Sequence, residues 1–560
     1  VSAAPPRGRE VLLTGATGFL GKVLLRQLLE QADALGIARI HALVRPASPA
    51  AEARFARSLR RAACFHGLRP ELLQRLQVLP GDLSLPHCGI APAQREELRA
   101  RATHVIHAAA AVDFDLPLGE AAQANVATAL EVLELARSMR RLESLLHIST
   151  AYVTPHPGAG VAIKEAPAPL PESAELLWQR IRSGRAAERA LLAASKHPNT
   201  YTFSKCLAEQ LLLARGRDLP LRILRPSIIS ASFRHPAPGW IDSAAAFAAF
   251  VALIGLGRLR AVVAHPKARL DLIPVDWVAG RILHAMSLPA EAPAPLLHIT
   301  AGPRNSPSIE ECRDRILAFF RAHPTERRPA IRYLGPPGLR FAAAHRLHHE
   351  LPLRLRGLRS SPARRRARLL LGQLEQLNRA FPYFTQRTFH FESSMPLDLP
   401  GFDPREYVST VSRGVSRRGG AAGRARRSRG RLRDEPAPLR QDRGRPAALA
   451  RGPAPEGIRE HRLQARAPRR GVRPPHPGGR RSRFRRVVPR LGLFGGGAGQ
   501  RRMARQAAAR PRRGGNGGAR PHLSKPLHYL VQSLRRIGLR GRALRAAGRC
   551  AGGGRRPGLH

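Results

Sequence analysis

Residues 201–205 read YTFSK, which places a tyrosine and a lysine four positions apart. On a helix, positions i and i+4 share a face, so Tyr201 and Lys205 point the same way. A phenol, with a pKa of about 10, is a poor acid or base at neutral pH. A neighbouring ammonium stabilises phenolate and brings its pKa toward the working range. Lys205 also has the reach to hold ribose hydroxyls of a nucleotide. Tyrosine and lysine at this spacing often meet by chance. Lysine scarcity argues against chance here, because the chain has only six lysines and arginine fills the generic basic positions. Upstream, LLHISTAYV puts Ser149 and Thr150 at the end of a strand-like run. Hydroxyls at that edge would hydrogen-bond a substrate carbonyl beside Tyr201. Asn125, in an intervening helical stretch, would hold a water for proton relay or simply cap its helix.

A second constellation lies near the start. In VLLTGATGFLGK, Gly15, Gly18 and Gly21 stand between an apolar run and an amphipathic one. The first glycine permits a tight turn. The second lets backbone N–H groups approach a pyrophosphate at a helix N-terminus. The third permits close packing of helix on strand. Thr17, Phe19 and Leu20 count among the same expected cofactor contacts.

The next apolar run ends HALVRP, with Arg45 where a free ribose would meet an acid. A guanidinium there suits a 2′-phosphate, so NADPH is favoured over NADH. A plain surface arginine is the alternative. Asp82 and Leu83, in LPGDLS, end the third run, where an adenine ring would lie. A turn-capping role for Asp82 is the competing reading. The alanine run after VIH, with Ala108 and Ala109, lets a cofactor lie close to the fourth run or merely packs a helix.

These residues need a scaffold that brings strand ends together. Apolar runs VLLTG, RIHALV, LQVLPGD, THVIHAAA and LLHIST alternate with helical stretches such as LGKVLLRQLLEQA and NVATALEVLELARSM. That alternation predicts an α/β fold, a Rossmann-type doubly wound parallel sheet covered on both faces. A helix around 200–215 precedes the strand-like LRILRPSII. Residues 8–305 would form this reductase domain, with a substrate-binding insertion at about 236–270. Residues 306–418 would form a smaller, mainly helical C-terminal substrate domain.

The chain has 560 residues and a formal net charge of +56, with a pI of about 11.9. Residues 419–560 hold 37 arginines and one lysine against five acids, +33 of that total. The other +23 belongs to residues 1–418. The 419–560 segment is rich in Arg, Gly, Ala and Pro and loses all periodicity, so a disordered basic tail is expected. Its abrupt onset also fits a shifted reading frame in GC-rich DNA. A genuine basic arm for anionic lipid or nucleic acid is the alternative. The five cysteines are scattered, with no CxxC spacing, so neither disulfide framework nor metal site is expected. The first ten residues contain no apolar run of the signal-peptide kind. The longest apolar stretch, residues 244–257, falls short of the roughly 20 residues that span a bilayer. A cytoplasmic location, with peripheral membrane contact, is the expectation.

Taken together, TGATGFLG, the strand-end hydroxyls and YxxxK are the pattern of extended short-chain dehydrogenases. Finer blocks resemble the fatty acyl-CoA reductases: LLTGATGFLGKVLL, ALVRP, HAAAAVDFD, HISTAYV, NTYTFSKCLAEQLL, RPSII, PGWIDS and DLIPVDWVAG, in that order. FPYFTQRTFHFE and FDPREYVSTVSRGV resemble the end of that family's helical domain. The resemblance covers residues 8–418. It implies Thr150, Tyr201 and Lys205 as the catalytic triad, with Ser149 the alternative hydroxyl. It implies cofactor contacts from Gly15, Gly18, Gly21, Arg45 and Asp82, and from Pro226, Ser227 and Ile228 beside the carboxamide. It implies a fatty acyl-CoA substrate and two hydride transfers from NADPH, by way of an aldehyde to a primary alcohol. The apolar 244–257 segment would line an acyl channel or form a core helix. One departure is the loop after Arg45, which lacks the lysine- and glycine-containing stretch common in the family.

Two other readings compete. Another extended short-chain reductase, acting on a carrier-bound thioester, a ketone or a nucleotide sugar, shares the core motifs. A nucleic-acid-binding protein would work through the tail, but that tail lacks aromatic interleaving and metal-finger spacing. No specific nucleic-acid partner is expected.

Overall fold

A computed structural model describes residues 8–45, 55, 62–243, 246–289, 295–325, 327–358 and 360–431, with side chains up to 418. The apolar runs become strands β1 (Arg9–Thr14), β2 (Ile37–Val44), β3 (Leu76–Pro80), β4 (His104–His107) and β5 (Ser144–Ile148). β6 (Leu221–Pro226) follows, and β7 (Leu296–Ile299) closes the edge. All seven are parallel, in the order 3-2-1-4-5-6-7. The order reverses between β1 and β4, the switch point where ligands of such sheets bind. β7 comes from LLHIT, a run too short to stand out by pattern alone.

The numbered helices are α1 (Phe19–Glu30), α2 (Pro92–Arg101), α3 (Thr128–Arg137), α4 (Thr200–Arg215) and α5 (Ala246–Gly255). They continue with α6 (Val275–Met286), α7 (Ile309–Ala322), α8 (Ser361–Ala380) and α9 (Pro404–Arg431). One sheet face buries Leu24 and Leu28 of α1 against Val278 and Ile282 of α6. The other buries Leu133 of α3 with Phe203, Leu207 and Leu211 of α4. Each such side chain contributes about 1.5–3 kcal/mol. A third core unites α5, α7, α8 and α9 through Ile254, Ile316, Leu374 and Val411. Residues of the 236–270 insertion therefore share one apolar core with the C-terminal helices.

α9 runs past the compositional break at 418, so backbone regularity continues to Arg431 where a disordered tail was expected to begin. Residues 432–560, which hold the rest of that expectation, lie outside the described residues. The helix is anchored by Tyr407, whose hydroxyl donates to Ala231 O. Gly239 and Gly414 meet so closely that a Cβ on Gly414 would lie 1.7 Å from Gly239 O.

α4 is tied to the sheet by a buried ion pair. Asn199 caps it, its Oδ1 accepting from Thr202 N at 2.9 Å. One turn past Lys205, Glu209 receives Arg225 of β6 through Nη2 at 2.6 Å and Nε at 3.1 Å. Both side chains are buried, and Arg225 also donates to Ala166 O at 2.9 Å. Removing one partner of a buried pair leaves an uncompensated charge. Glu209→Gln should cost about 3–5 kcal/mol. Glu209→Leu combined with Arg225→Met should cost much less. Urea unfolding of the three proteins checks this. Equal losses for the single and double variants would show that packing, not charge, holds the helix.

Candidate active site

β1 ends into Gly15, whose φ of +77° suits only glycine without strain. A Cβ there would also lie 2.7 Å from Ala108 C and Ala109 N. The alanine run after β4 thus forms the wall against which the glycine turn is pressed. Gly18 precedes α1 and donates to Gly15 O at 2.9 Å. A Cβ on Gly21 would meet Gly15 O at 2.0 Å, so the third glycine packs helix on loop. The first turn of α1 carries no acid. Its positive end is therefore open to an anion.

At the far end of the sheet switch, Arg45 Nε lies 3.3 Å from Asp82 Oδ2. Arg45 is exposed, and its guanidinium stands at the mouth of the strand ends. Asp82 accepts from Ser84 N at 3.0 Å and Ser84 Oγ at 2.8 Å, so it caps a turn as well. Those hydrogen bonds, with Arg45 beside it, hold its carboxyl below the usual range. The two expected cofactor residues are thus partners of each other. The loop after Arg45 lies outside the described residues.

Between these ends sit the catalytic candidates. Tyr201 lies in the first turn of α4, and Lys205 is one turn on. Lys205 Nζ donates to Ile148 O, the last carbonyl of β5, at 2.7 Å. Its burial pushes the ammonium down to about 8, against an attraction from Glu209. Burial pushes the Tyr201 phenol up to about 12, and a hydrogen bond with the Thr150 side chain acts the other way. Thr150 opens the short 3-10 turn Ala151–Val153. Ser149 is buried beside it, and its Oγ has no hydrogen-bond partner. Beneath them, His107 and His147 stand opposite each other on β4 and β5, rings 5.2 Å apart. Burial and the Lys205 charge keep both neutral, His107 down at about 3. His107 Nδ1 bonds Thr14 Oγ1 at 2.8 Å.

Asn125 is not a cap. It sits within the π-helical turn Gln123–Ala127. Its Oδ1 accepts from Ala111 N at 2.9 Å, and its Nδ2 donates to Ala111 O and Ser204 Oγ. It pins the loop after β4 to α4.

One cavity of about 420 Å³ gathers most of these groups. Gly15, Gly18, Phe19, Leu20, Gly21 and Ala108 line its cofactor end. Ser149, Thr150, Tyr201 and Lys205 line its middle, with Pro226, Ser227 and Ile228 facing them. Thr17, Arg45, Asp82, Leu83 and Ala109 do not line it. Beyond Tyr201 the wall turns apolar, with Phe247, Phe250, Ile254, Ile316 and Phe384. α5 is therefore both core helix and cavity wall.

Sequence reading missed two groups. Phe114 stacks on Tyr201, centroids 5.7 Å apart, and touches Phe381 and Phe384. The loop before α5 is latched to the cofactor helix, with Trp240 stacked on Phe19 at 5.5 Å and Asp242 paired with Lys22. HAAAAVDFD and PGWIDS carried both signals, but only as family blocks.

The glycine cradle, the acid-free helix end and the orphan Ser149 hydroxyl fit a nicotinamide dinucleotide. They define a Rossmann-type NAD(P)-binding oxidoreductase site. The sequence profile of the NAD-binding family described as Male sterility protein matches residues 13–282. The chain is 32% identical over 352 residues to fatty acyl-CoA reductase 1 of Gallus gallus, covering 61% of this chain and 66% of that one. It is 32% identical over 333 residues to fatty acyl-CoA reductase 2 of Homo sapiens, covering 57% and 63%. Over this region the chain is similar to fatty acyl-CoA reductases. It spans just under two thirds of the length of these curated relatives. Among solved structures, the terminal R domain from the myxalamid PKS-NRPS biosynthetic pathway matches with a TM-score of 0.53 at 24% identity. That match covers 75% of this chain and 94% of the domain, and it bears on fold alone.

The buried ammonium has a measurable consequence. In the folded chain Lys205 titrates at about 8, against an ordinary 10.5. Between those values the unfolded chain binds more protons, so this residue makes stability rise with pH across that window. Below about pH 8 the burial penalty stands in full. Lys205→Met should therefore stabilise the protein at pH 7, by on the order of 1–3 kcal/mol. That gain should fade as pH climbs from 8 toward 10.5. Urea midpoints at several pH values read it out. A gain independent of pH would remove the charge from the explanation.

Proposed function

We propose that this protein uses NADPH to reduce a long-chain fatty acyl-CoA to an aldehyde and then to a primary alcohol, releasing CoA. What carries the reading is the single cavity that joins the glycine turn, the Thr150–Tyr201–Lys205 cluster and an apolar chamber. A polar nucleotide end and an apolar end, meeting at three reactive side chains, suit a substrate that is a thioester on a hydrocarbon chain.

The dinucleotide, when bound, supplies hydride. Arg45 would hold its adenosine 2′-phosphate, Asp82 would lie beside its adenine ring, and Gly15, Gly18 and Gly21 would admit its pyrophosphate. Ser227 and Ile228 would orient the carboxamide. Thr150 and Tyr201 would donate hydrogen bonds to the thioester oxygen as negative charge gathers on it. Loss of the CoA thiolate from the tetrahedral adduct gives the aldehyde. In the second round Tyr201 would give its proton to the alkoxide, and Lys205 would stabilise the phenolate left behind. A phenol pushed up to about 12 is well protonated and ready to donate. Phe114, stacked on Tyr201, covers one face of that ring. Phe247, Phe250 and Ile254 would receive the acyl chain.

Tyr201→Phe should lower turnover on acyl-CoA and on aldehyde by roughly 100- to 10,000-fold while NADPH affinity holds. Steady-state rates and cofactor titration measure both, and a wild-type kcat would remove Tyr201 from the chemistry. Arg45→Ala should weaken NADPH by roughly 1.5–3 kcal/mol and leave NADH nearly unchanged. Equal losses for the two cofactors would show that Arg45 reads no phosphate.

A further inference from the structure

Among the described residues, six of the ten large hydrophobic side chains most open to solvent lie within one short segment: Leu339, Leu347, Leu351, Leu355, Leu358 and Leu369. Leu339, Leu347, Leu351 and Leu355 fall on a continuous helical run, Leu339–His345, Arg346–Glu350 and Leu351–Gly357; Leu358 caps its end and Leu369 lies in α8. Leu339, Leu347, Leu351 and Leu355 repeat at multiples of four, so they form one row. The row two residues further round, His345, His349, Leu353 and Gly357, is buried. This run thus has an inner face in the core and an outer face of leucine. An outward leucine row buries nothing within its own fold, and such a patch marks an interaction surface.

Charge says what the surface meets. Residues 339–369 hold nine arginines and one acid, Glu350. The row between the two, His348, Pro352 and Arg356, lines a separate cavity of about 340 Å³. Arg258, Arg260, Arg327 and Arg328 form its other walls, and no carboxylate is among its described lining residues. His349, on the same wall, is 1% exposed. Its Nε2 accepts from Arg260 N at 2.8 Å, and its Nδ1 has no hydrogen-bond partner. Burial and the surrounding cationic side chains push its imidazole down to about 3. So a cationic cavity with an unpartnered polar atom opens beside an exposed leucine row.

We propose that this helical run docks on an anionic lipid bilayer, with the leucine row in the acyl boundary and a lipid phosphate in the arginine-lined cavity. Leucine and arginine in adjoining rows are the makeup of an interfacial helix. A second copy of the chain fits poorly, because it would set nine arginines against nine. Nucleic acid would use the arginines and leave the leucines in water. The location suits the chemistry of the main cavity. Leu370, Leu374 and Leu377 of α8 pack into the core that holds Ile254, Val262 and Ile316 of the channel wall. The docking face is thus the back of the layer that lines the apolar chamber.

Flotation of the full chain with lipid vesicles tests this without any reductase assay, so it stands apart from the catalytic reading. Vesicles of phosphatidylcholine alone and with added phosphatidylglycerol are compared. Leu351→Gln/Leu355→Gln keeps every charge, including those of the basic tail, and should weaken binding roughly tenfold or more. Arg356→Gln should cut the preference for phosphatidylglycerol about fivefold. Circular dichroism confirms that both variants stay folded. A leucine variant that floats like wild type overturns the proposal. So does a variant that loses self-association in vesicle-free light scattering, or one that loses DNA binding to the same degree as lipid binding.

Discussion

A guanidinium and a carboxylate, both out of water, hold α4 against the sheet. Arg225 and Glu209 fix the helix at its third turn, and Asn199 fixes its start. Between those points Lys205 is drawn under β5 and bonded to Ile148 O. Tyr201 then faces the Thr150 side chain, with which it shares a hydrogen bond. The arrangement is costly, since three ionisable groups share a dry interior. It is tolerated because each has a fixed partner, and because the neighbouring imidazoles of His107 and His147 stay neutral. A lysine that burial holds at about 8 is poised to change its charge near neutrality, which a surface lysine is not.

The fold was legible because its strands are short, apolar and separated by long helical stretches. The six runs read as strands are all strands, and the three helical stretches read between them are helices. β7 was not legible, since four residues at a sheet edge leave no periodic trace. The glycine triplet was readable in mechanism as well as in type. Gly15 and Gly21 sit where a side chain would collide with backbone, which is what the spacing demanded. Asp82 caps a turn, which was one of its two readings, and it also pairs with Arg45, which was neither.

What stayed hidden was everything made by long-range packing. Phe114 reaches Tyr201 from a loop nearly ninety positions upstream, and Phe381 and Phe384 arrive from the C-terminal helices. No local pattern encodes such a meeting. Asn125 shows a subtler limit. Its segment reads as ordinary helix, yet the helix widens to a π turn so that one amide can grip both backbone groups of Ala111. α5 is a buried core helix, as one of its two readings had it, and the cavity runs along that core.

Net charge is the case where averaging misled. Assigning +33 to the last 142 residues left +23 for the rest, a value that looks unremarkable when spread over 418 positions. It is not spread. Residues 339–369 account for +8 of it, nine arginines less one glutamate. Arg340, Arg346, Arg354 and Arg356 lie on a helical run whose outer row is leucine. A local stripe of that kind vanishes in a global sum, and only burial separates it from a helix that is apolar on its inner side alone. The periodicity was present in the sequence throughout: the buried row and the exposed row both repeat at four. What the sequence could not supply was which of the two faces the core.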